Sequence, residues 1–469
     1  MRVITSVQRA VPALVRASGA AQSLRQAPCH IQTLSFATSR RARRGRRAAA
    51  AGNDESKDED TSLLAEMRER VRVLANIDEI SRTGLIHRVE MPQELLERLT
   101  SITKRRTHSQ LEQLRKNAAE EDVKFPLDMH KRPIGWTLER EKQIKPFVYG
   151  PMETMLYLAY DMEATYASMD QVFQQLQRKK PDFRPTSMLD FGAGPGTASW
   201  VAKNFYEHSI EKYRVVEPSQ SMVDAAEVIL EGFPGLGVRR SISEMKREIQ
   251  TGVKYDLIVA GYVLSEITND FERIAVVSAL WELLSDDGVL VIADRGSPWG
   301  SHHVRSARQF IIDSVLEDAA EADESGETKE SVRILAPCPH HFECPAAGGT
   351  WCHFVQRSPR VQFPRDATTK RWHGHKSSKF SYVVMEKNSS NQDTTPASAS
   401  LARLIRGPLL ATRHVHLDLC TPAGELERRS VTKRTAIREV YRASRKAHWG
   451  AEWPSDASIY RLNDNKDEE

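Results

Sequence analysis

The sequence has few cysteines and no long apolar segment. Five of its 469 residues are cysteine, which excludes a secreted scaffold built on disulfides. No run of about 18 consecutive apolar residues occurs, so a transmembrane helix is not expected. Repeats with a period of roughly 20 to 50 residues are also missing, which argues against a solenoid or a propeller. The 40% hydrophobic and 28% charged residues are typical of a globular protein.

Acidic residues are missing from the first 50 positions. This segment contains ten arginines and no Asp, Glu or Lys. Such a composition is typical of a mitochondrial presequence, and a disordered arm that binds nucleic acid is the alternative. We assign residues 1–52 to a mitochondrial presequence with a basic disordered segment, and we expect the protein in the mitochondrial matrix.

The rest of the chain is predicted to contain three parts and a tail. Apolar residues at intervals of three and four predict an N-terminal helical region at 62–180. Strands that alternate with helices predict a Rossmann-like α/β domain with a parallel sheet at 181–315. A basic module that is rich in cysteine follows at 331–455, and residues 456–469 form the tail. The fold class is therefore α/β, with a helical region before the sheet and a Cys-rich module after it.

A glycine-rich turn follows the first predicted strand. The segment LDFGAGPGT (189–197) contains Gly192, Gly194 and Gly196, and Asp190 lies at the end of the strand. Glycine permits positive φ and close approach of a ligand, and the amides of the following helix then face that ligand. The spacing G-x-G-x-G differs from the G-x-G-x-x-G of dinucleotide folds. It is similar to motif I of class I S-adenosylmethionine-dependent methyltransferases. A phosphate- or dinucleotide-binding loop and a degenerate fold that binds nothing are the alternatives.

Three further residues complete the expected cofactor site. The second strand ends in Glu217, where an acid binds ribose hydroxyls, and Met222 is expected beside the adenosine. Tyr262 lies in GYVLSE (261–266), at the position of the methyltransferase motif after the fourth strand. The Asn/Asp-Pro-Pro-aromatic signature for methylation of a base amine does not occur there, and no cysteine nucleophile lies within 187–300. The sequence predicts S-adenosylmethionine binding without identifying catalytic residues.

The four cysteines outside the presequence all lie in the C-terminal module. Cys338, Cys344 and Cys352 are close together, and Cys420 follows later. Four thiolates can bind zinc tetrahedrally or hold a [4Fe–4S] cluster, and four free buried thiols are the third alternative. The spacing predicts a metal centre and leaves the choice between iron–sulfur and zinc open.

The same module is strongly basic. Residues 355–450 contain 19 lysines and arginines against 7 acidic residues, and aromatic residues are interleaved with them. Cationic side chains bind phosphates and aromatic rings stack on bases, so we expect a surface that binds nucleic acid. A solvated charged face is the alternative.

Several segments in order along the chain resemble those of the methyltransferase-like assembly proteins of the mitochondrial small ribosomal subunit. They are LAYDMEATYA (158–167), LDFGAGPGT (189–197), CPHHFECP (338–345), KFSYVV (379–384), HVHLDLC (414–420) and YRASRKAHWG (441–450). The resemblance implies association with small-subunit rRNA and mitoribosomal proteins during maturation, and support of mitochondrial translation.

The resemblance also implies two ligands. It implies a [4Fe–4S] cluster on Cys338, Cys344, Cys352 and Cys420. It implies an S-adenosylmethionine site that includes Asp190, Gly192, Gly194, Gly196 and Glu217. We therefore expect an rRNA-binding assembly factor with a methyltransferase fold. A catalytically active rRNA methyltransferase is the alternative.

Overall fold

The computed structural model of the chain describes residues between positions 75 and 455, with gaps. The described residues are 75–84, 88–104, 109–113, 134–136, 148–325, 331–346, 350–359, 375–388, 396 and 400–455. Ile77–Glu469 is one compact unit, and the other unit, Met1–Asn76, is described at positions 75 and 76 alone. The predicted presequence and the predicted tail lie outside the described residues.

Helical segments precede the sheet, within the region predicted to be helical. Pro92 precedes the first of them, and proline is common at helix starts because it has no N–H to leave unpaired. The last of them is buried along most of its length, since it packs between the neighbouring helix and the sheet. The segments are α1 (Gln93–Thr103), α2 (Pro151–Leu156), a π-helical turn (Tyr157–Asp161) and α3 (Met162–Lys179).

The alternation of strands and helices forms the predicted parallel sheet. The strand order is β3-β2-β1-β4-β5, and every neighbouring pair in this half of the sheet is parallel. Apolar strands fit such a sheet because helices cover both of its faces. The elements are β1 (Ser187–Phe191), α4 (Thr197–Tyr206), β2 (Lys212–Val216), α5 (Gln220–Ile229), β3 (Gly237–Arg239), α6 (Ile242–Gln250), β4 (Tyr255–Gly261), α7 (Asp270–Leu283) and β5 (Leu284–Arg295).

The large sheet continues into the region that the sequence assigned to a separate module at 331–455. One antiparallel strand, β8, pairs with β5 on one side and with β6 and β7 on the other. One continuous sheet therefore crosses the predicted boundary between 315 and 331, and the apolar end of β8 is a buried interior strand of it. The added elements are α8 (Pro298–Ser325), β6 (Ser331–Ala336), β7 (Phe354–Pro359) and β8 (His375–Asn388).

Helix α8 includes most of the acidic segment LEDAAEADESGETKE (316–330). The helix extends to Ser325, so the first ten residues of that segment are helical. Glutamate and alanine are both good helix formers, and their propensity outweighs the low sequence complexity here.

A second sheet forms from the last part of the chain. All of its strand pairs are antiparallel. Strand β12 pairs with β11 along its whole length, whereas β10 pairs with the first part of β11 and β9 with its end. Strand β13 pairs with β9. Within the described residues, no helix has the length and apolar character that crossing a membrane requires. The elements are β9 (Leu401–Leu404), β10 (Leu409–Leu410), β11 (His414–Cys420), β12 (Leu426–Thr432), α9 (Arg438–Lys446) and β13 (Glu452–Pro454).

A buried charged network joins the second sheet to the first. Arg403 on β9 donates to Glu452 Oε1 at 3.0 Å and to the carbonyl oxygen of Pro337 at 3.0 Å. Lys179 of α3 also pairs with Glu452 Oε1, at 2.5 Å. Pro337 directly follows β6 and begins the loop that contains Cys338 and Cys344. Arg403 therefore fixes the start of this loop against β9.

Candidate cofactor cleft and cysteine cavity

The carboxyl ends of the parallel strands open into one large cleft. Its volume of about 1160 Å³ exceeds that of a typical site for one small molecule. The strand order reverses between β1 and β4 at this edge, which is where α/β sheets bind ligands. Most of the predicted cofactor residues line it, namely Asp190, Gly192, Gly194, Glu217, Met222 and Tyr262.

The glycine turn forms one wall of the cleft. Gly192, Gly194 and Gly196 all have positive φ, at 68°, 54° and 89°. A Cβ on Gly194 would meet nothing closer than Met222 Sδ at 3.9 Å, so this glycine faces the open cleft. Gly196 does not line the cleft. It packs instead against Leu230, whose Cδ1 would lie 2.6 Å from an added Cβ.

This packing makes Gly196→Ala a test of the turn. Positive φ and the overlap with Leu230 act together, so we expect the free energy of unfolding to fall by about 2–4 kcal/mol. Gly232→Ala is the matched control, because Gly232 has φ 79° but no atom within 4 Å of an added Cβ. Backbone strain alone should lower the stability of that variant by about 1–2 kcal/mol. Equal losses in chemical denaturation would show that packing against Leu230 is unimportant.

Glu217 lies opposite the turn and binds backbone amides. Its Oε2 accepts from the Gly194 N–H at 2.9 Å, and its Oε1 accepts from the Ser219 N–H at 2.8 Å. Burial raises the pKa of Glu217, although these two hydrogen bonds lower it. Each carboxylate oxygen has a second lone pair, so the side chain can accept further hydrogen bonds from a ligand in the cleft.

Asp190 has a more structural position than the sequence predicted. Its Oδ2 accepts from the Ser199 N–H at 3.0 Å and from the Ser199 hydroxyl at 2.7 Å, and the residue is 2% exposed. Asp190 therefore ties the end of β1 to the first turns of α4 beneath the cleft. Burial raises the pKa of Asp190 to about 6, although the bonds from Ser199 lower it.

The raised pKa predicts a pH-dependent effect of Asp190→Asn. The folded state favours the protonated acid. The contribution of Asp190 to the free energy of unfolding therefore falls as pH rises from about 4 to about 6. The variant is neutral at every pH, and we expect it to be more stable than wild type by up to about 3 kcal/mol at pH 8. This advantage should shrink towards pH 5 in denaturation experiments.

Asp256→Asn is the control of opposite sign. Burial raises the pKa of Asp256, but hydrogen bonds from Thr186, Ser187 and Ser285 outweigh burial and hold that pKa below its usual value. Its removal should destabilise the protein at pH 8. A destabilised Asp190→Asn at pH 8 would contradict the argument from burial.

Tyr262 and Met222 both line the cleft. Tyr262 has φ 62°, which is strained for a residue other than glycine and is common at functional sites. Its hydroxyl is 2.7 Å from Ser168 Oγ, and its N–H donates to the carbonyl of Ala293 at 2.7 Å. The neighbouring Asp294 is fully buried and accepts from Ser265, so it stabilises the loop after β4 from below.

Glu266 and Tyr149 are cleft residues that the sequence analysis missed. The Tyr149 hydroxyl donates to Glu266 Oε1 at 2.8 Å. Burial raises the pKa of Glu266 to about 7, although the bond from Tyr149 lowers it. A carboxyl group that titrates near neutral pH is suited to general acid–base work. The signal was its place at the end of the GYVLSE segment, directly after β4.

Four further lining residues come from the region at 331–455. Trp351, Lys376, Ser378 and Lys379 reach the cleft because β7 and β8 belong to the large sheet. Sequence reasoning placed them in another module and therefore missed them.

All four predicted cysteines line one second cavity. They carry free thiols, and they come from the loop after β6, the second residue before β7 and the end of β11. Among the described residues, no group of three or more His, Cys, Asp or Glu side chains is arranged to hold a single metal ion. The residues that share the cavity with the thiols include Arg305, Arg308, Arg403 and His340.

The thiols are buried strongly enough to shift their ionisation. Burial raises the pKa values of Cys338, Cys352 and Cys420, so these groups are protonated thiols unless a bound cation stabilises the thiolates. His340 Nε2 lies 3.3 Å from Cys420 Sγ. Of the histidines near the cysteines, His340 lines the cavity, whereas His353 stacks on Trp351 and packs edge-on against Trp449.

The cleft and the cysteine cavity meet at two consecutive residues. Trp351 lines the cleft and donates its indole N–H to the carbonyl of Gly296 at 3.0 Å. Cys352 lines the cavity, and its carbonyl accepts from the Ser301 and Ser381 hydroxyls at 2.9 and 2.7 Å. The backbone of this dipeptide is therefore fixed from both sides.

The sheet order, the glycine turn and the acid after β2 define an α/β protein with a class I methyltransferase-type fold. Comparison with known families then identifies its lineage. The chain belongs to the Rsm22 family, since the family model described as Mitochondrial small ribosomal subunit Rsm22 matches residues 151–454. The matched segment contains both the cleft and the cysteine cavity, except for the cleft residues Val148 and Tyr149.

Two curated relatives are mitochondrial proteins named for ribosome assembly. The Homo sapiens protein "Ribosome assembly protein METTL17, mitochondrial" is 26% identical over 305 residues, which are 63% of this chain and 61% of the relative. The Saccharomyces cerevisiae protein "Ribosome assembly protein RSM22, mitochondrial" is 22% identical over 426 residues, with 65% and 68% covered. The match thus spans about three fifths of the human relative's length.

Solved methyltransferase structures superpose loosely on part of the chain. The N-methyltransferase NodS from Bradyrhizobium japonicum, in complex with S-adenosyl-L-homocysteine, has a TM-score of 0.27 and 10% identity, and covers 49% of this chain and 89% of its own. Precorrin-6y C5,15-methyltransferase from Geobacter metallireducens has a TM-score of 0.25 and 13% identity, with 48% and 87% covered. The family membership does not depend on these superpositions.

Proposed function

We propose that this protein is an assembly factor of the mitochondrial small ribosomal subunit that acts in the matrix and binds small-subunit rRNA and mitoribosomal proteins. The observation that carries this proposal is the family match, because it includes both ligand sites. The names of the human and yeast relatives support the same role.

A basic face on the second sheet is the candidate rRNA-binding surface. Helix α9 buries Val440 and Ala443 against the sheet and turns its cationic side chains outward. Contacts between such cationic side chains and phosphate groups dominate the affinity of proteins for nucleic acids. The exposed cations of this basic face are Lys433, Arg434, Arg438, Arg442, Arg445 and Lys446.

Co-sedimentation with the small subunit tests the assembly role. We expect the full chain to sediment with small-subunit particles from mitochondrial lysate, and we expect Arg438→Glu with Arg442→Glu to abolish this at moderate salt. Arg247→Glu is the control, since Arg247 is exposed on α6, outside the basic face. Failure of the wild-type chain to sediment with the subunit would refute the proposal.

We propose S-adenosylmethionine as the ligand of the cleft. Gly194 leaves room for close approach of the ligand, and Glu217 presents free lone pairs for its ribose hydroxyls. Met222 supplies an apolar, polarisable surface beside the turn for the adenine. The cofactor supplies an activated methyl group when it is bound, and these residues bind and orient it.

The cysteine cavity fits a four-thiolate metal centre. Its donors are four thiols, and none of the described residues that line it is Asp or Glu. Three buried arginines line the same cavity and offset the negative charge that metal-bound thiolates carry. We propose that Cys338, Cys344, Cys352 and Cys420 hold a [4Fe–4S] cluster, which links β6, β7 and β11 and stabilises the C-terminal half of the fold.

Metal analysis distinguishes a [4Fe–4S] cluster from a structural zinc site. The full chain is purified without oxygen, and its iron, sulfide and zinc are quantified with an absorption spectrum. Four irons and four sulfides per chain, as expected for a [4Fe–4S] cluster, are the predicted result. One zinc and no iron would replace the cluster by a structural zinc site and leave the RNA-binding role in place.

Methylation of rRNA is a second candidate function, favoured by Glu266. This carboxyl group lines the cleft, and its pKa of about 7 suits proton removal from a methyl acceptor. Glu266→Gln should then eliminate one methyl mark on small-subunit rRNA while subunit assembly continues. Retention of every mark would eliminate this candidate.

A further inference from the structure

Helix α8 directs two arginines towards the cysteine cavity. Arg305 and Arg308 lie three positions apart and therefore on one face of the helix. They are 4% and 2% exposed, and both line the cavity. Arginine is always charged in proteins, so α8 introduces two buried positive charges beside the four thiols.

Arg308 and Arg403 both have hydrogen-bond or ion-pair partners within the protein. Arg308 Nη2 donates to the carbonyls of His340 and Phe342, at 2.7 and 3.0 Å. Arg403 is paired with Glu452. These two arginines shape the loop that carries Cys338 and Cys344, and the surrounding chain satisfies much of their hydrogen-bonding capacity.

Arg305 differs because the two terminal nitrogens of its guanidinium have no hydrogen-bond partner among the described residues. Its Nε donates to the carbonyl of Ser301 at 3.3 Å, but Nη1 and Nη2 have no hydrogen-bond partner among the described residues. A buried cation without a counter-charge is strongly unfavourable. Its presence beside four thiols indicates that an anionic group belongs in the cavity.

The position of Arg305 specifies the side of the cavity that this anion occupies. Ser301, one turn earlier on α8, donates to the carbonyl of Cys352 at 2.9 Å. The Nε of Arg305 in turn donates to the carbonyl of Ser301 at 3.3 Å. Arg305 therefore faces the Cys352 side of the thiol group.

We propose that Arg305 is the counter-cation of the metal centre and that both of its Nη groups donate hydrogen bonds to sulfur atoms on the Cys352 side. This inference rests on the proposed [4Fe–4S] cluster. Positive charge and hydrogen bonds to sulfur favour the reduced, more negative form of such a cluster, so they raise its reduction potential. Arg305 is thus a positioning and tuning residue rather than a ligand.

The reduction potential distinguishes this role from a merely structural one. Wild type, Arg305→Gln and Arg305→Lys are purified as full chains without oxygen, and iron, sulfide and the midpoint potential are measured. Arg305→Gln should keep the cluster but shift the reduction equilibrium about tenfold towards the oxidised form, about 59 mV for a one-electron couple. Arg305→Lys keeps the charge but not the forked donor, so its shift should be smaller and in the same direction.

Arg247→Gln is the control, because it removes the same charge from an exposed site on α6, outside the basic face. Its potential should equal that of wild type. If Arg305→Gln does not fold, Arg305→Lys decides, and a wild-type potential in that variant would overturn the proposal. A wild-type potential in Arg305→Gln would do so directly. Wild-type protein with zinc and no iron would instead refute the cluster itself, which is a separate outcome.

Discussion

Replacing Cys420 with serine is expected to abolish iron binding and to destabilise the C-terminal half of the chain by about 5–10 kcal/mol. Cys420 ends β11 in the second sheet, whereas Cys338 and Cys344 follow β6 in the first sheet. A centre on these residues therefore crosslinks the two sheets. Its loss leaves three buried thiols and the unpaired charge of Arg305 in the cavity, which adds to the destabilisation.

Three measurements on Cys420→Ser follow from this argument. Iron and sulfide should fall to background, the broad absorption of the cluster should disappear, and hydrogen exchange should accelerate in β9, β11 and β12. The β1–β5 half should keep its protection, because its helices and strands pack without the cavity. Cys344→Ser should give the same result, since its thiol lies in the same cavity.

Ile405→Val is the matched control for these cysteine variants. Ile405 lines the same cavity and is buried, but it offers no ligand. Its shortening should cost about 0.5–1.5 kcal/mol and leave the iron content at the wild-type level. Full iron content in Cys420→Ser would contradict the proposed ligand set.

The glycine turn and the acid after β2 were the parts of the site that the sequence could predict. Both depend on local chemistry, since positive φ selects glycine and the carboxyl end of a parallel strand presents the next side chain to the cleft. The N-cap at Ser219 was predictable for the same reason, and its hydroxyl accepts from the Met222 N–H at 3.2 Å. The predicted strands and helices between 187 and 296 follow the same local periodicity.

The remaining site residues depend on long-range pairing and had no local signal. Trp351 and Lys379 reach the cleft because β8 pairs with β5 across a long sequence separation. The exposed, basic first half of β8 resembles a surface strand, and this concealed the buried second half. Arg305 lies on a helix whose sequence contains many charges, and no pattern marks it as a buried residue.

The dipeptide Trp351–Cys352 belongs to both sites, because Trp351 lines the cleft and Cys352 lines the cysteine cavity. Cys352 is held by two serine hydroxyls at its carbonyl, and Trp351 is held by the Gly296 carbonyl. A ligand at Cys352 therefore restricts the backbone that positions the Trp351 ring in the cleft. For this reason, cofactor affinities should be compared between variants that have equal iron content.

Glu217→Ala is expected to weaken S-adenosylmethionine binding by roughly 10²- to 10⁴-fold, which corresponds to about 3–6 kcal/mol for two hydrogen bonds to a charged acceptor. Isothermal titration of the full chain measures this change. The stability of the variant should change little, because burial of the carboxylate, which raises its pKa, is itself unfavourable. Glu217→Gln should lie between alanine and wild type, since the amide keeps one acceptor oxygen.

Glu227→Gln is the control for Glu217, because Glu227 is exposed on α5 and its replacement changes the net charge equally. Its affinity for S-adenosylmethionine should match that of wild type. The wild-type affinity should also fall in mildly acidic solution, since binding requires the Glu217 carboxylate and its raised pKa moves protonation towards neutral pH. Glu217→Ala has no carboxylate to protonate at this position, so it should lose this pH dependence. An unchanged affinity in Glu217→Ala would mean that the cleft binds its ligand without an acid at the end of β2, which would exclude a ribose held there.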